Sequence, residues 1–145
     1  MELKEILNLT TEIGNLMINY GADISRVERE IKELCEAYGV RETDVFAVPS
    51  SLIVTLSDGI NYCTKSRRIV AKCNDLDKVS NIIQLCDWMK EKRPDRFYVF
   101  QTLEEIKRQP VYPAWVIVLA NIVISGTSAV FYNSKYVDGI FAGII

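Results

Sequence analysis

Histidine is absent from all 145 residues, which removes the usual general base and excludes serine, histidine and carboxylate catalysis within this chain. The four cysteines, Cys35, Cys63, Cys73 and Cys86, fall in neither a CxxC nor a zinc-ligand spacing. Reduced thiols inside a cell are their simplest account. Walker and GxGxxG phosphate loops are missing, so nucleotide-driven work is not indicated. No cofactor and no metal are expected. A net charge of −2 provides no long-range attraction for nucleic acid. Repeats, low-complexity runs and flexible linkers are lacking as well. The start, MELKEILNLTTEIGNLM, has Glu2 and Glu5 where a signal peptide carries a basic cap.

The most consequential absence is local. From residue 109 to 134 there is no Asp, Glu, Lys or Arg, while the preceding hundred or so are charged at ordinary soluble density. About 20 apolar residues suffice to cross a hydrocarbon core about 30 Å thick. Residues 112–132 are therefore expected to span a membrane. The margin is modest: nine Val, Ile, Leu and Phe residues lie between 116 and 131, each contributing roughly −0.3 to −0.6 kcal/mol near the bilayer centre. Against them stand Asn121, Ser125, Thr127 and Ser128. A second apolar stretch, YVDGIFAGII, reads as the start of another span over residues 137–145, cut off by the end of the chain. Gly139 with Gly143, and Ser125 with Ala129, repeat a small-xxx-small spacing that lets membrane helices approach closely. The competing reading is a buried hairpin or central strand of a soluble core. Lys107 and Arg108, with Lys90, Lys92, Arg93 and Arg96 upstream, outnumber Lys135 beyond the stretch. The positive-inside rule then puts the N-terminal part in the cytoplasm. The expected division is a cytoplasmic domain over 1–109 and a membrane region over 110–145.

In the first part, Leu3, Ile6, Leu7, Thr10, Ile13, Met17 and Tyr20 recur at helical spacing, and Gly21 suits a left-handed C-cap. Leu9, Leu16 and Ile18 widen that face, which implies burial on two sides or contact with the membrane-proximal surface. Ser25 and Glu28 fit a capping box opening a half-buried helix. Its stripe is Val27, Ile31, Leu34, Cys35 and Tyr38; Glu30 falls on the polar side. From Asp44 the period becomes two, with Asp58-Gly59 as a hairpin signal, Leu52, Val54 and Leu56 on one face, and Pro49 marking an edge, bulge or break. The second arm runs from Ile60 to about Val70. A third helix follows Asn74 or Asp75, with Leu76, Val79, Ile82, Ile83, Cys86 and Met89 in its stripe, and stops at Arg93-Pro94. Thr102 and Glu105 read as a capping box for a short fourth helix. The fold class is α+β: helices flanking a β-hairpin or small sheet, then one complete and one truncated transmembrane helix.

Three groups are candidates for chemistry. Asp23, Arg26 and Glu28 cluster where a helix N-terminus offers free amides to an anion; otherwise they are a turn former, a solvated arginine and a cap. Pro49-Ser50-Ser51 either exposes hydroxyls to a small solute or is a plain turn leading into a strand. Asn121 and Thr127 would face a bundle interior, lining a pathway or binding a neighbouring helix. Lys72 beside Cys73 is the sole basic neighbour of a thiol, and it is poor support for a reactive site.

Read in order, GADISRVE at 21–28, YGV at 38–40, PSSLIVTL at 49–56 and the apolar stretch that follows resemble the threonine/serine exporter family, in its N-terminal half. The matching motif positions are Gly21, Arg26, Glu28, Pro49 and Thr55. The resemblance implies a multi-pass protein of the cytoplasmic membrane, a secondary transporter rather than an enzyme, exporting small hydrophilic solutes. Threonine and serine are the expected solutes. A dicarboxylate such as succinate, handled with a second membrane subunit, is the alternative. A transport pathway needs several helices, so this chain is expected to work with a missing C-terminal half or a partner. A membrane-tethered hydrolase-like domain using Ser50 or Ser51, or a regulatory domain, are the readings from other classes.

Overall fold

The computed structural model describes residues 2–70, 73–110 and 113–131, in two units, Met1–Gln109 and Pro110–Ile145. The elements in order are α1 (Leu3–Asn19), α2 (Ile24–Ala37), β1 (Glu42–Val48), β2 (Ser51–Ser57), β3 (Tyr62–Arg68), α3 (Leu76–Lys92), α4 (Arg96–Arg108) and α5 (Ala114–Phe131). The class is α+β. The strands form an antiparallel sheet in the order β1-β2-β3, so of the expected β-hairpin or small sheet the second holds, as a three-stranded meander.

The wide apolar face of α1 is explained by burial on two sides: it packs on α2, β2 and β3, and also on α3 and α4. Ile6, Leu9, Ile13, Leu16 and Met17 are all buried. Fully burying such a side chain contributes about 1.5–3 kcal/mol, so this helix organises the core of the first unit. Thr10 and Thr11 are buried too, and each turns its hydroxyl back on its own helix, to the carbonyls of Ile6 (2.8 Å) and Leu7 (2.6 Å). In β2, Leu52, Val54 and Leu56 point into this core as the alternation requires. The opposite face, with Phe46, Ile53 and Tyr62, is exposed.

Several expected boundaries move. The N-cap of α2 is Asp23, not Ser25, so Ser25 and Glu28 lie inside the helix and form no capping box. α4 begins at Arg96 after N-cap Asp95, because Val99, Leu103 and Ile106 already make a buried stripe there. Thr102 is consequently mid-helix, its hydroxyl donating to the Tyr98 carbonyl at 3.0 Å. The Asp58-Gly59 turn is a four-residue loop in which the Asp58 carboxylate accepts from the amides of Ile60 (2.9 Å) and Asn61 (2.8 Å). The second arm is Tyr62–Arg68 rather than 60–70. Leu76 is exposed, whereas Asp75 does cap α3, accepting from the Lys78 amide at 3.1 Å.

In the second unit, α5 has 18 residues, about 27 Å of helix. Among the described residues no helix is long and apolar enough to cross a membrane. Tyr132 and the expected second span, with Gly139 and Gly143, lie outside the described residues.

Gly14 is where α1 comes closest to its neighbours: a Cβ there would stand 2.6 Å from Ile31 Cδ1 and 2.7 Å from Leu52 Cδ2. Gly14→Ala should cost about 1–3 kcal/mol through overpacking, despite alanine's better helix propensity. A urea midpoint that stays put or rises in the variant would contradict this packing.

Candidate functional site

Of the motif positions, Gly21 lies in the α1–α2 turn, Arg26 and Glu28 in the first turns of α2, Pro49 in the β1–β2 turn and Thr55 within β2. Gly21 takes φ of +87° directly after α1, and a Cβ there would lie 2.8 Å from Asn74 Oδ1. Conformation and space both favour glycine. Asp23 accepts a hydrogen bond from the Ser25 hydroxyl, which holds its exposed carboxyl below the ordinary value. Arg26 is exposed and pairs with no acid among the described residues.

Glu28 does neither of the jobs expected of it. Its Oε1 accepts from the Ala47 backbone amide at 3.0 Å. β1 is an edge strand, paired with β2 alone, and an edge leaves outward amides without ladder partners. Glu28 supplies that partner and ties the first motif to the strand ahead of Pro49. Asp23 is thus occupied by Ser25 and Glu28 by the Ala47 amide, and no side-chain hydrogen bond or ion pair joins Asp23, Arg26 and Glu28 to one another.

Pro49 and Ser50 form the exposed turn between β1 and β2, where Val48 pairs with Ser51. The Ser50 carbonyl accepts from the Ile69 amide at 2.9 Å. Among the described residues no base hydrogen-bonds the Ser50 or Ser51 hydroxyl, so the geometry gives the hydrolase-like reading no activated nucleophile. Thr55 meets Thr64 across the exposed face of the sheet, hydroxyl to hydroxyl at 3.0 Å, a stabilising cross-strand pair. In α5, the Asn121 amide donates to the Ile117 carbonyl at 2.8 Å and the Thr127 hydroxyl to the Val123 carbonyl at 2.7 Å. Both donors thus find an acceptor within their own helix.

Two charged clusters escaped the sequence reading. Glu12 of α1 accepts from Arg67 of β3 at 2.7 Å and from Lys107 of α4 at 3.0 Å, joining three elements. Partial burial works against its charge, but the hydrogen bonds from Lys107 and Arg67 outweigh it and hold the carboxyl below its ordinary value. The end of α4 is held a second time: Lys78 donates to the Lys107 carbonyl at 3.3 Å, and Asn81 to Gln109 Oε1 at 2.9 Å. Lys78, itself buried, also lies 5.1 Å from the centre of the Tyr20 ring. The second cluster binds α2 to α3, where Lys90 contacts Glu30 (2.9 Å), Glu33 (2.6 Å) and Asp87 (3.2 Å). Glu30 is buried rather than solvated. Burial opposes the Lys90 charge, yet the three carboxylates prevail and raise its pKa above the usual lysine value.

Burial pushes the Cys35 thiol up to about 11 and the Cys86 thiol to about 12, so neither is a thiolate nucleophile at neutral pH. Among the described residues no group of three or more His, Cys, Asp or Glu is placed to hold a metal ion.

The Glu12 contacts give a pH signature. Its carboxyl has a lower pKa folded than unfolded, so its stabilisation is complete above the ordinary value of 4.5 and is lost as pH falls through the folded value. Glu12→Gln should lower stability at neutral pH and flatten the loss between about pH 7 and about pH 3. Urea midpoints at both ends measure it, and an acid loss as steep in the variant as in the parent would count against the assignment.

Comparison with known proteins returns one positive result: the family model described as threonine/serine exporter matches residues 8–145. No curated protein and no solved structure matches the chain. Since the match takes in both described units and every motif position, the chain belongs to the threonine/serine exporter family.

Proposed function

We propose that the chain forms the N-terminal part of a multi-pass secondary transporter that exports small hydrophilic solutes, threonine and serine first among them. The observation that carries this reading is the family match over residues 8–145. In it, residues about 112–132 cross the cytoplasmic membrane and a second span begins at about 137, lengths set by the hydrocarbon thickness. Residues 1–109 form the cytoplasmic domain, on the side where the basic residues ahead of α5 concentrate. A second membrane subunit or further spans complete the pathway, and an ion gradient drives it.

The apolar helix supports the lipid setting. Trp115, Ile117, Val118, Leu119, Ile122, Val123 and Ile124 are all exposed, and at 100° per residue they point to every side of α5. Leaving seven such side chains in water forgoes on the order of 10 kcal/mol of burial. A helix apolar all round is covered by lipid or by other helices.

Export is tested in cells lacking the gene and in the same cells complemented with the full-length gene and its partner. Threonine or serine efflux should be several-fold faster on complementation. Equal rates would overturn the reading, and faster efflux of succinate alone would move the substrate to a dicarboxylate. Trp115 reports the setting directly: in a Trp88→Phe background reconstituted in vesicles, brominated lipid should quench its fluorescence. Emission as in water, without quenching, would remove the span.

A further inference from the structure

Along α1, Lys4, Asn8 and Glu12 repeat at four-residue spacing, which aligns them in one stripe of the helix. Cys63, Lys65 and Arg67 alternate along β3 and so share one face of the strand. The two rows meet: Lys65 donates to Asn8 Oδ1 at 2.5 Å, and Arg67 to Glu12 at 2.7 Å. Beyond the Asn8–Lys65 contact the rows part into a cleft of about 300 Å³, lined by Lys4, Leu7, Asn8, Cys63, Thr64 and Lys65.

The charge in this cleft is unbalanced. Among the described residues neither Lys4 nor Lys65 has a carboxylate within 4.0 Å, and the nearest acid along the stripe, Glu12, is taken by Arg67 and Lys107. Two uncompensated cations thus face one small cleft in a chain whose net charge is −2. The remaining polar side chain there favours the same sign of ligand: the Asn8 carbonyl oxygen already accepts from Lys65, leaving its amide hydrogens to donate. Nothing in the lining supplies a carboxylate for an ammonium group. A volume of this order suits a molecule of a few heavy atoms.

We propose that the cleft between α1 and β3 is a binding site for a small carboxylate anion, with Lys4 and Lys65 as its cationic contacts and the Asn8 amide as a further donor. As a statement about the exporter, this rests on the transport reading and gives the N-terminal domain a solute-sensing or solute-delivering site of its own. A dicarboxylate fits it better than a zwitterionic amino acid, whose ammonium group would add a third cation to two that already lack partners.

The test is calorimetric titration of the purified full chain in detergent with succinate, acetate, threonine and inorganic phosphate. Saturable succinate binding is expected, stronger than that of acetate or threonine, weakened by added salt, and weakened about tenfold in Lys4→Met and in Lys65→Met, the effect of losing one ionic contact. Lys4 makes no hydrogen bond or ion pair among the described residues, so Lys4→Met removes charge without disturbing packing, and unchanged thermal melting verifies this. No saturable heat, phosphate binding as tight as succinate, or an isotherm unaltered in both variants would overturn the site. Because binding is read without a transport step, a failed titration leaves the exporter reading standing. Absent efflux with an intact titration removes that reading alone.

Discussion

The first unit depends on one helix that is buried along most of its length. α1 is enclosed by the sheet and α2 on one flank and by α3 and α4 on the other, and its buried Ile, Leu and Met residues contribute on the order of 10 kcal/mol between them. Exposed ion pairs add about 0–1 kcal/mol each. Burial therefore decides that the unit is compact, while the charged contacts decide its register. Glu12 illustrates the division: placed on the most buried helix, it holds Arg67 and Lys107 and so sets where β3 and the end of α4 lie relative to α1. Thr10 and Thr11, both fully buried, bond carbonyls of their own helix, the solution open to hydroxyls that face no water.

Much of this was legible in the residues. Apolar spacing located α1, α2 and α3, a capping pattern located the second half of α4, and missing charge located α5; the breadth of the α1 face, from Ile6 through Ile18, left burial on two sides and contact with the membrane-proximal surface as alternatives, of which the first holds. What escaped was of two physical kinds. Pro49-Ser50 is a hairpin turn without a residue of positive φ, so it carries none of the glycine or asparagine signals on which hairpin recognition relies, and β1 was not separated from β2. Local capping patterns misled where tertiary partners prevailed: Glu28, three residues after Ser25, satisfies a β1 amide instead, and Thr102 lies in a helix already under way. Glu30 looked solvated on the helical wheel because its partner, Lys90, is sixty residues distant. For Glu12 a signal did exist, in the four-residue recurrence of Lys4, Asn8 and Glu12, but its meaning depended on β3 lying opposite.

The motifs carrying the family resemblance turn out to be mostly architectural. Gly21 permits a tight turn against Asn74, Glu28 satisfies a strand edge, Pro49 shapes the first hairpin, and Thr55 pairs across the sheet. Of the matched positions only Arg26 lacks a visible structural task. This division has a physical basis: a turn or an edge amide tolerates few residue types, whereas a polar lining can be assembled from many. A family signature read from one chain accordingly reports first on how the domain holds its shape.

The sulfur atoms divide along the same inside-to-outside boundary. Cys35 and Cys86 lie in the core with thiols that resist deprotonation, Cys63 is half covered, and Cys73 stands in the open just ahead of α3. Cys73 is therefore a readily reachable handle for an impermeant maleimide in whichever compartment the first unit occupies, already present without engineering. Comparing its labelling before and after permeabilisation turns a chance distribution of cysteines into a gauge of which aqueous compartment the domain occupies.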